Sequence, residues 1–289
     1  ALDLAPQRGA FLFLLFARAR GRLFYGRERG DSRGLVQIFT RRATGDMDAI
    51  ATNSMTDELE TPFFFSRETR RLFGVWHQPR AAWRGAFVFC HPFAEEKLWA
   101  HRAYVSFARE LANDGYGVLR FDMNGHGDSD GEFVHATIDD YLADIARALD
   151  EVAARAPHAT RLGLLGLRLG GSLAALAAER DARVGDLILW DPIVDGAKSG
   201  QEILMANLAM QMAAYGKVTR ERADLVKQME GGQPVNIDGY EVSYAMFRPI
   251  AELRRDQLVG KFNGRCLIAQ VDRAERPARK EYQALANRY

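Results

Sequence analysis

The sequence predicts an α/β fold: a mostly parallel sheet flanked by helices, with a helical cap insertion. Two observations predict it. Apolar runs of strand length alternate with amphipathic helical segments, and these runs are apolar at successive positions. Strands of that kind belong to a parallel sheet that helices cover on both faces. With 289 residues, of which 47% are hydrophobic, the chain is long enough for one large α/β core.

The first half of the core supplies three strands and two helices. The predicted strands are apolar, β-rich runs at 71–78, 85–90 and 117–122. Residues 99–111 place apolar side chains at helical spacing, and 113–115 end that helix. Thr137 and Asp140 fit a capping box, in which each side chain satisfies a backbone N–H of the other. A second helix is therefore predicted to begin there.

The second half continues the alternation around one long insertion. The predicted elements are strand 161–167, helix 170–180, strand 184–190, strand 264–271 and helix 278–287. Residues 194–258 interrupt this order with two helical stretches and a glycine break, and we interpret them as a cap over the C-terminal edge of the sheet. Five of the eight methionines lie in this segment. Methionine suits both an adaptable apolar surface and the core of an inserted helix pair.

Residues 1–54 differ from the rest of the chain and are expected to lie outside the fold. The first 46 residues contain nine arginines, no lysine and four acidic residues, and Arg and Gly interrupt any regular period in 21–45. We interpret the segment as a leader or upstream sequence, so that the core comprises 55–193 and 259–289. A basic arm at a membrane surface and a secretory signal around 10–17 are the alternatives.

Composition and cysteine content exclude several classes of protein. The net charge of +1 gives no global field for nucleic acid, and 55–289 contain no basic stripe or aromatic platform, so no nucleic-acid partner is expected. Cys90 and Cys266 cannot form a disulfide scaffold or a usual zinc site, which predicts a reducing, cytoplasmic location without metal or cofactor. No apolar run reaches the roughly 18 residues that a transmembrane helix needs. The sequence does not indicate an oligomeric state.

Three motifs occur where predicted strands end. His91-Pro92 follows the 85–90 strand, a Gly-rich loop (FDMNGHGDSDG) spans 121–131, and Gly-Leu-Arg-Leu-Gly at 166–170 joins a strand to a helix. In this order and spacing they resemble the oxyanion loop, the loop after the fourth strand and the nucleophile elbow of the α/β-hydrolase superfamily. The resemblance implies an α/β-hydrolase fold with its cleft at the carboxyl ends of the strands.

The elbow carries Arg168 where the superfamily has its nucleophile. Arginine stays protonated in proteins and cannot attack a carbonyl carbon. The superfamily order is nucleophile, acid, histidine, and Asp272 follows a late strand at the place of the acid. All six histidines precede the elbow, at positions 77, 91, 101, 126, 135 and 158. A complete Ser-His-Asp triad is therefore not expected in this chain.

Two other residues could in principle act as nucleophiles. Ser129 lies in the segment 127–131, which matches G-x-S-x-G and is near His126 and His135, but turn-like residues separate it from the preceding strand and the next helix. The elbow motif requires a direct strand–turn–helix context, so Ser129 is not expected to be a nucleophile. Cys90 precedes His91, yet neighbouring residues of a strand point to opposite faces, which favours a buried, inert thiol.

A more specific resemblance covers about 61–271. It rests on four segments: HPFAEEK at 91–97, GLRLGGSLA at 166–174, LILWDPIVDG at 187–196 and DGYEVS at 238–243. They are similar to the second hydrolase-like protein associated with bacterial exosortase (PEP-CTERM) systems. The resemblance implies that Arg at the elbow is a feature of the family. It also implies a further strand and helix after Tyr289, which could supply a missing catalytic residue.

Two functions are compatible with these motifs. The leading interpretation is a hydrolase-fold pseudoenzyme that binds a small-molecule, acyl or anionic ligand for an exosortase-associated or exopolysaccharide-associated system. Its candidate cleft residues are expected at strand ends: His91, Phe93, Glu95, Glu96, Arg168, Leu169, Asp191 and Asp272. Arg168 then either holds the ligand or forms a structural ion pair, with Asp191 and Asp272 as the favoured partners. The alternative is an active esterase or thioesterase with a misplaced or missing catalytic residue.

Overall fold

The computed structural model describes residues 36–42, 59–272 and 277–289, in which strands and helices alternate as the sequence predicts. The strands are β1 (Val36–Arg42), β2 (Glu60–Arg67), β3 (Arg70–His77), β4 (Gly85–Cys90), β5 (Tyr116–Phe121), β6 (Leu162–Leu167), β7 (Val184–Trp190), β8 (Val235–Ile237), β9 (Tyr240–Val242) and β10 (Arg265–Asp272). The α-helices are α1 (Glu95–Asn113), α2 (Ile138–Arg155), α3 (Leu169–Ala178), α4 (Gly196–Tyr215), α5 (Arg222–Glu230), α6 (Tyr244–Ala251) and α7 (Lys280–Ala286).

Eight of these strands form one sheet, in the order β1-β10-β7-β6-β4-β5-β3-β2. Neighbours from β1 through β5 in this order pair in parallel, and β3 and β2 add an antiparallel edge. Strand β4, near the middle, is buried along its whole length. Such a strand can be apolar throughout because helices cover both faces. The predicted α/β fold, a mostly parallel sheet flanked by helices, is confirmed.

Alternate side chains of β4 show how the two faces are covered. Phe87 and Phe89 pack with Tyr104 of α1 on one face. Val88 and Cys90 belong to the larger cluster on the other face, to which α2 and α3 contribute. Adjacent residues of a strand thus reach different helix layers. The thiol of Cys90 is buried as expected, and burial raises its pKa.

Two local features show what sequence patterns do and do not reveal. The Asp140 N–H donates to Thr137 Oγ1 at 3.1 Å and the Thr137 N–H donates to Asp140 Oδ2 at 3.2 Å, which confirms the predicted capping box of α2. Strand β2, in contrast, was not predicted, although it pairs with β3 along its whole length. It is an edge strand with four of its eight residues exposed and only one buried, so its side chains show neither a continuous nor an alternating apolar pattern.

Residues 194–258, predicted to be a cap, contain α4, α5, α6 and the antiparallel β8–β9 hairpin. The third helix and the hairpin add to the two helical stretches expected from the sequence. Some methionines of this segment pack in a core and others lie at the surface. Met229 and Met246 are buried in the core, whereas Met205 and Met212 are about half exposed.

Within 1–54, expected to lie outside the fold, the only described residues are those of β1. This strand pairs in parallel with β10, from Val36 opposite Cys266 to Arg42 opposite Asp272. The expectation therefore does not hold for β1, because the free edge of β10 offers unpaired N–H and C=O groups to an extended segment. The rest of 1–54 lies outside the described residues, and its exclusion from the fold stays a prediction. No described helix combines the length and apolarity needed to cross a bilayer.

Candidate functional site

The turn between β6 and α3 has the shape of a nucleophile elbow. Arg168 separates the two elements with φ 53° and ψ −120°, in the left-handed region that favours glycine. Glycines flank it for a steric reason: a Cβ on Gly166 would lie 2.1 Å from the Gly170 carbonyl oxygen, and one on Gly170 would lie 2.2 Å from the Cys90 carbonyl oxygen. The Arg168 N–H donates to the Trp190 carbonyl oxygen at 2.9 Å. The tight turn predicted at Arg168 is confirmed.

The Arg168 guanidinium bridges carboxylates from two different helices. Its Nε donates to Glu96 Oε1 at 3.1 Å, in the first turn of α1, and its Nη2 donates to Glu202 Oε2 at 2.8 Å, on α4. Burial acts to lower the pKa of Arg168, but Glu96 and Glu202 outweigh it and raise that pKa above its usual value. The elbow thus carries a fixed cation. Sequence reasoning named Glu96 but missed Glu202, because no spacing rule links the turn to a later helix.

The prediction that Arg168 forms an ion pair with Asp191 is wrong. Oδ1 of Asp191 accepts from Arg279 Nη1 at 2.9 Å and from the Tyr282 hydroxyl at 2.9 Å. Both donors come from α7 and the residue before it, so the docking of this helix decides the partner of Asp191. Asp272 ends β10, and its side chain lies outside the described residues.

His91 is buried and fully hydrogen-bonded in the loop that follows β4. Its Nε2 accepts from the Met123 N–H at 3.1 Å, so the proton is on Nδ1, which donates to the Pro92 carbonyl oxygen at 2.8 Å. Burial, followed by the nearby Lys97 cation, lowers the pKa of His91 to about 3. This neutral imidazole holds the loop in place and has no free nitrogen with which to act as a base.

At this end of the sheet, the backbone N–H groups of Phe93 and Leu169 are among those that have no acceptor within the described residues. Phe93 lies in the loop after β4, and Leu169 is the first residue of α3. The two segments are in contact, since a Cβ on Gly170 would lie 2.2 Å from the Cys90 carbonyl oxygen and 2.5 Å from that of His91. Unpaired N–H groups at a helix start and in the adjoining loop can hold a carbonyl or carboxylate oxygen.

The family model for serine aminopeptidase S33 matches residues 81–239, more than half of the chain. The match runs from before β4, through the loop and the elbow, to the end of β8. The chain belongs to the serine aminopeptidase S33 family. Its resemblance to the α/β-hydrolase superfamily is thereby confirmed.

Solved structures similar to this S33-family chain include two α/β hydrolases. Est1E from Butyrivibrio proteoclasticus, with ferulic acid bound, is 21% identical, with a TM-score of 0.57 over 78% of this chain and 85% of that chain. Alpha/beta hydrolase domain-containing protein 10 from mouse is 18% identical, with a TM-score of 0.52 over 79% and 84%. At these identities the similarity shows the fold alone. A comparison with curated proteins gives no match.

The serine hydroxyls near the elbow of this S33-family chain are bonded to backbone groups. Ser129 Oγ accepts from the Phe73 N–H at 2.9 Å and donates to the Asp122 carbonyl oxygen at 2.5 Å, which ties the loop after β5 to β3. Ser172, one turn into α3, is buried, and its hydroxyl donates to the Ile193 carbonyl oxygen at 2.6 Å. Neither hydroxyl bonds to a histidine.

An aromatic cluster beside the His91 loop was missed by sequence reasoning. The His126 ring lies 4.6 Å from the His91 ring and 5.1 Å from the Phe133 ring. Tyr240 of β9 lies 5.0 Å from Phe133, and Phe93 lies 5.6 Å from it. His126 belongs to the Gly-rich loop and Tyr240 to the DGYEVS segment. The sequence therefore shows both motifs, but it does not show that they contact each other.

Glu95 and Glu96 are the first two residues of α1, where the helix dipole favours carboxylates. Glu96 bonds to Arg168. Glu95 lies near Tyr240, whose pKa is raised by burial and then by the Glu95 charge. The acidic pair therefore stands between the elbow and the β8–β9 hairpin. The predicted cleft residues that the structure brings together are His91, Phe93, Glu96, Arg168 and Leu169.

Proposed function

We propose that this S33-family protein binds an acyl or carboxylate ligand in its cleft and does not carry out serine hydrolysis. The observation that carries the proposal is the guanidinium of Arg168, held by Glu96 and Glu202 at the position from which a nucleophile would attack. Hydrolysis in this fold needs a hydroxyl or thiol there and a histidine to take its proton. None of the six histidines bonds to the elbow among the described contacts.

The charges at the site favour a carbonyl or a single carboxylate over a multiply charged anion. The N–H groups of Phe93 and Leu169 supply two donors, and the positive end of α3 adds to their field. Arg168 adds one positive charge, which Glu96 and Glu202 already oppose from 3.1 and 2.8 Å. A dianion would be repelled by these carboxylates at close range. The ligand class is therefore narrower than the anionic ligand expected from the sequence.

The resemblance to the exosortase-associated family supports a role in that system. The segments that carry it include residues of the candidate site. Residues 91–97 form the loop after β4 and the start of α1, and 166–174 form the elbow and the first part of α3. Residues 187–196 cover the second half of β7 and the segment that leads into α4, and 238–243 cover the turn of the hairpin and β9. Residues that shape a cleft recognise its ligand, so similar segments at these places support a shared ligand class. We assign the ligand to an exosortase-associated or exopolysaccharide-associated system on this ground.

The absence of hydrolysis is tested with a serine-directed fluorophosphonate probe and a short-chain p-nitrophenyl ester. We expect no labelling and no turnover above the rate in buffer, with a serine esterase of the same fold as positive control. Arg168→Ser should remain inactive, because no histidine is placed to activate the new hydroxyl. Specific labelling of Ser129 or Ser172, or ester turnover that Ser129→Ala abolishes, would establish the esterase or thioesterase interpretation instead.

Binding in the cleft is tested by following the amide NMR signals of Phe93 and Leu169 during titration with butyrate. Both signals should shift and saturate, whereas phosphate, the multiply charged comparison, should leave them in place. The amide of Gly185, in β7, is the control that should not move. Shifts with phosphate and none with butyrate would contradict the charge argument.

A further inference from the structure

A cavity of about 180 Å³ lies beneath the first half of α1, against β3, β4 and β5. It is distinct from the elbow, since Arg168, Leu169, Glu96 and Glu202 do not line it. The apolar part of its lining comprises Phe73, Val75, Phe89, Ala100 and Phe121. At roughly 30 Å³ for each water molecule, the cavity has room for about six waters or for one small organic molecule.

Arg120 of β5 lines this cavity, and no carboxylate lies within ion-pair distance of it among the described residues. Its Nε donates to His77 Nε2 at 2.8 Å. Burial, followed by the Arg120 cation, lowers the pKa of His77 to about 4, so this imidazole is neutral at pH 7. Arginines in protein interiors are normally paired with carboxylates. The terminal nitrogens of Arg120 are therefore available to an anion in the cavity.

The other polar groups of the lining add no further cation that is available to an anion. Lys97 Nζ pairs with Asp122 Oδ1 at 2.7 Å, so these two groups neutralise each other. Asp128 and His101 stand at the exposed side of the cavity. Burial, then Arg120 and Lys97, lower the pKa of His101, which leaves a neutral ring that can donate one hydrogen bond. A second negative charge on a ligand would meet Asp122 and Asp128.

We infer that the cavity is a second binding site, for a small monocarboxylate with an apolar body. The planar guanidinium of Arg120 matches a carboxylate, which can accept two of its N–H bonds in parallel. The body of the ligand packs against the aromatic and aliphatic walls, as in sites where a few polar groups stand in an apolar lining. His91 and Pro92 belong to the lining, so the site adjoins the loop of the cleft without sharing the elbow.

Benzoate is the probe, and its uncharged counterpart benzyl alcohol is the comparison. Methyl groups of Val75 and Ala100 line the cavity, so their NMR signals report its occupation. Both should shift saturably with benzoate, and benzyl alcohol should bind roughly tenfold more weakly, because it lacks the charged hydrogen bonds. Arg120→Met should weaken benzoate binding by a similar factor. Arg168→Ser, which changes the cleft, should leave the affinity measured at these methyl groups unchanged.

Because Arg120 also bonds to His77, a thermal melt checks that Arg120→Met is folded. Ala100→Leu is an independent test, since it fills the cavity and leaves Arg120 in place; it should abolish the benzoate shift at Val75. Leu98→Ala, at an exposed position of the same helix, is the matched control and should bind benzoate as the wild type does. Benzoate binding of wild-type strength in Arg120→Met or in Ala100→Leu, or an equal affinity for benzyl alcohol, would overturn the inference.

Discussion

The segments at 127–131 and 166–170 both follow a strand of the sheet and share the G-x-x-x-G spacing, but only the second forms an elbow. In 166–170 strand β6 leads directly into Arg168, and α3 begins at the next residue. In 127–131 the loop after β5 closes around Ser129, whose hydroxyl accepts a backbone N–H of β3. The same spacing thus presents a side chain at the sheet edge in one place and anchors a loop in the other. The strand and helix on either side decide which of these occurs.

The glycines of the two segments are required for different reasons. Gly127 and Gly131 have φ of +52° and +97°, conformations that side chains rarely adopt, so they shape the turn. Gly166 and Gly170 have no positive φ. They are required because backbone atoms lie 2.1–2.2 Å from where a Cβ would stand. A Cβ on Gly127 or Gly131 would also meet a side chain, Asp122 or Asn124. The first segment therefore requires a loop conformation as well as space, whereas the second requires only close backbone contact between β4, β6 and α3.

Gly170→Ala is expected to have the largest effect, because the loop after β4 would have to move. The new Cβ would lie 2.2 Å from the Cys90 carbonyl oxygen and 2.5 Å from that of His91. We expect the free energy of unfolding to fall by about 3 kcal/mol, the upper part of the usual range for overpacking. The melting temperature should fall by roughly 6–12 °C, as measured by calorimetry.

The matched control for this change is Gly185→Ala, in β7. Its new Cβ would have its nearest neighbour at 3.9 Å, an ordinary contact distance. Both variants alter the unfolded chain in the same way, so their difference isolates the contact in the native elbow. Equal stabilities of Gly170→Ala and Gly185→Ala would show that the loop accommodates a side chain, and that the elbow glycine is not required sterically.

Ser129→Ala should have an intermediate effect, because it removes the anchor of the other segment. The Phe73 N–H and the Asp122 carbonyl oxygen both lose their partner, and leaving buried backbone groups unpaired costs about 1–3 kcal/mol. Ser172→Ala, which leaves one carbonyl oxygen unpaired, should cost less in the same urea titration. The opposite outcome would be a wild-type protein that the fluorophosphonate labels and a Ser129→Ala protein of unchanged stability that it does not label. Ser129 would then be a nucleophile and not the anchor of its loop.

The elbow could be predicted from the sequence because its requirements are local. An apolar strand, a residue between two glycines and the start of a helix all lie within 161–180, and the structure confirms each of them. The capping box of Thr137 and Asp140 is of the same kind, since its two residues are three positions apart. Patterns within one or two turns of chain are enough to locate such features, although the absence of a side chain at Gly170 is required by the loop after β4.

The partners of the site side chains could not be predicted, because they depend on which helices dock nearby. Asp191 follows β7, as the alternation of elements suggests, but the segment that begins α7 brings Arg279 to it at 2.9 Å. Arg168 instead meets Glu202, on a helix of the inserted segment. Arg120 is one polar residue in an apolar strand, and its lack of a carboxylate is evident only once β3 and α1 surround it.

The smallest effect is expected for Arg168→Ser, which tests whether the elbow arginine is a structural ion pair. Glu96 and Glu202 expose 43% and 46% of their side chains, so water screens their attraction to the guanidinium. The change should therefore cost about 0–1 kcal/mol of stability. Stranding a carboxylate in a dry interior would cost about 3–5 kcal/mol, the value expected if Arg168 had paired with a buried partner.

Serine retains the strain of the elbow at φ 53°, and Arg168→Gly separates that strain from the ion pairs. With no Cβ, the glycine variant should be at least as stable as Arg168→Ser, although glycine also increases the entropy of the unfolded chain. Urea denaturation of Arg168→Ser, Glu202→Gln and the double variant gives the coupling energy of the pair. A coupling above about 3 kcal/mol would mean that α4 excludes water from the elbow. Arg168 would then be part of the packing between the elbow and α4, and its N–H groups would not be available to a ligand.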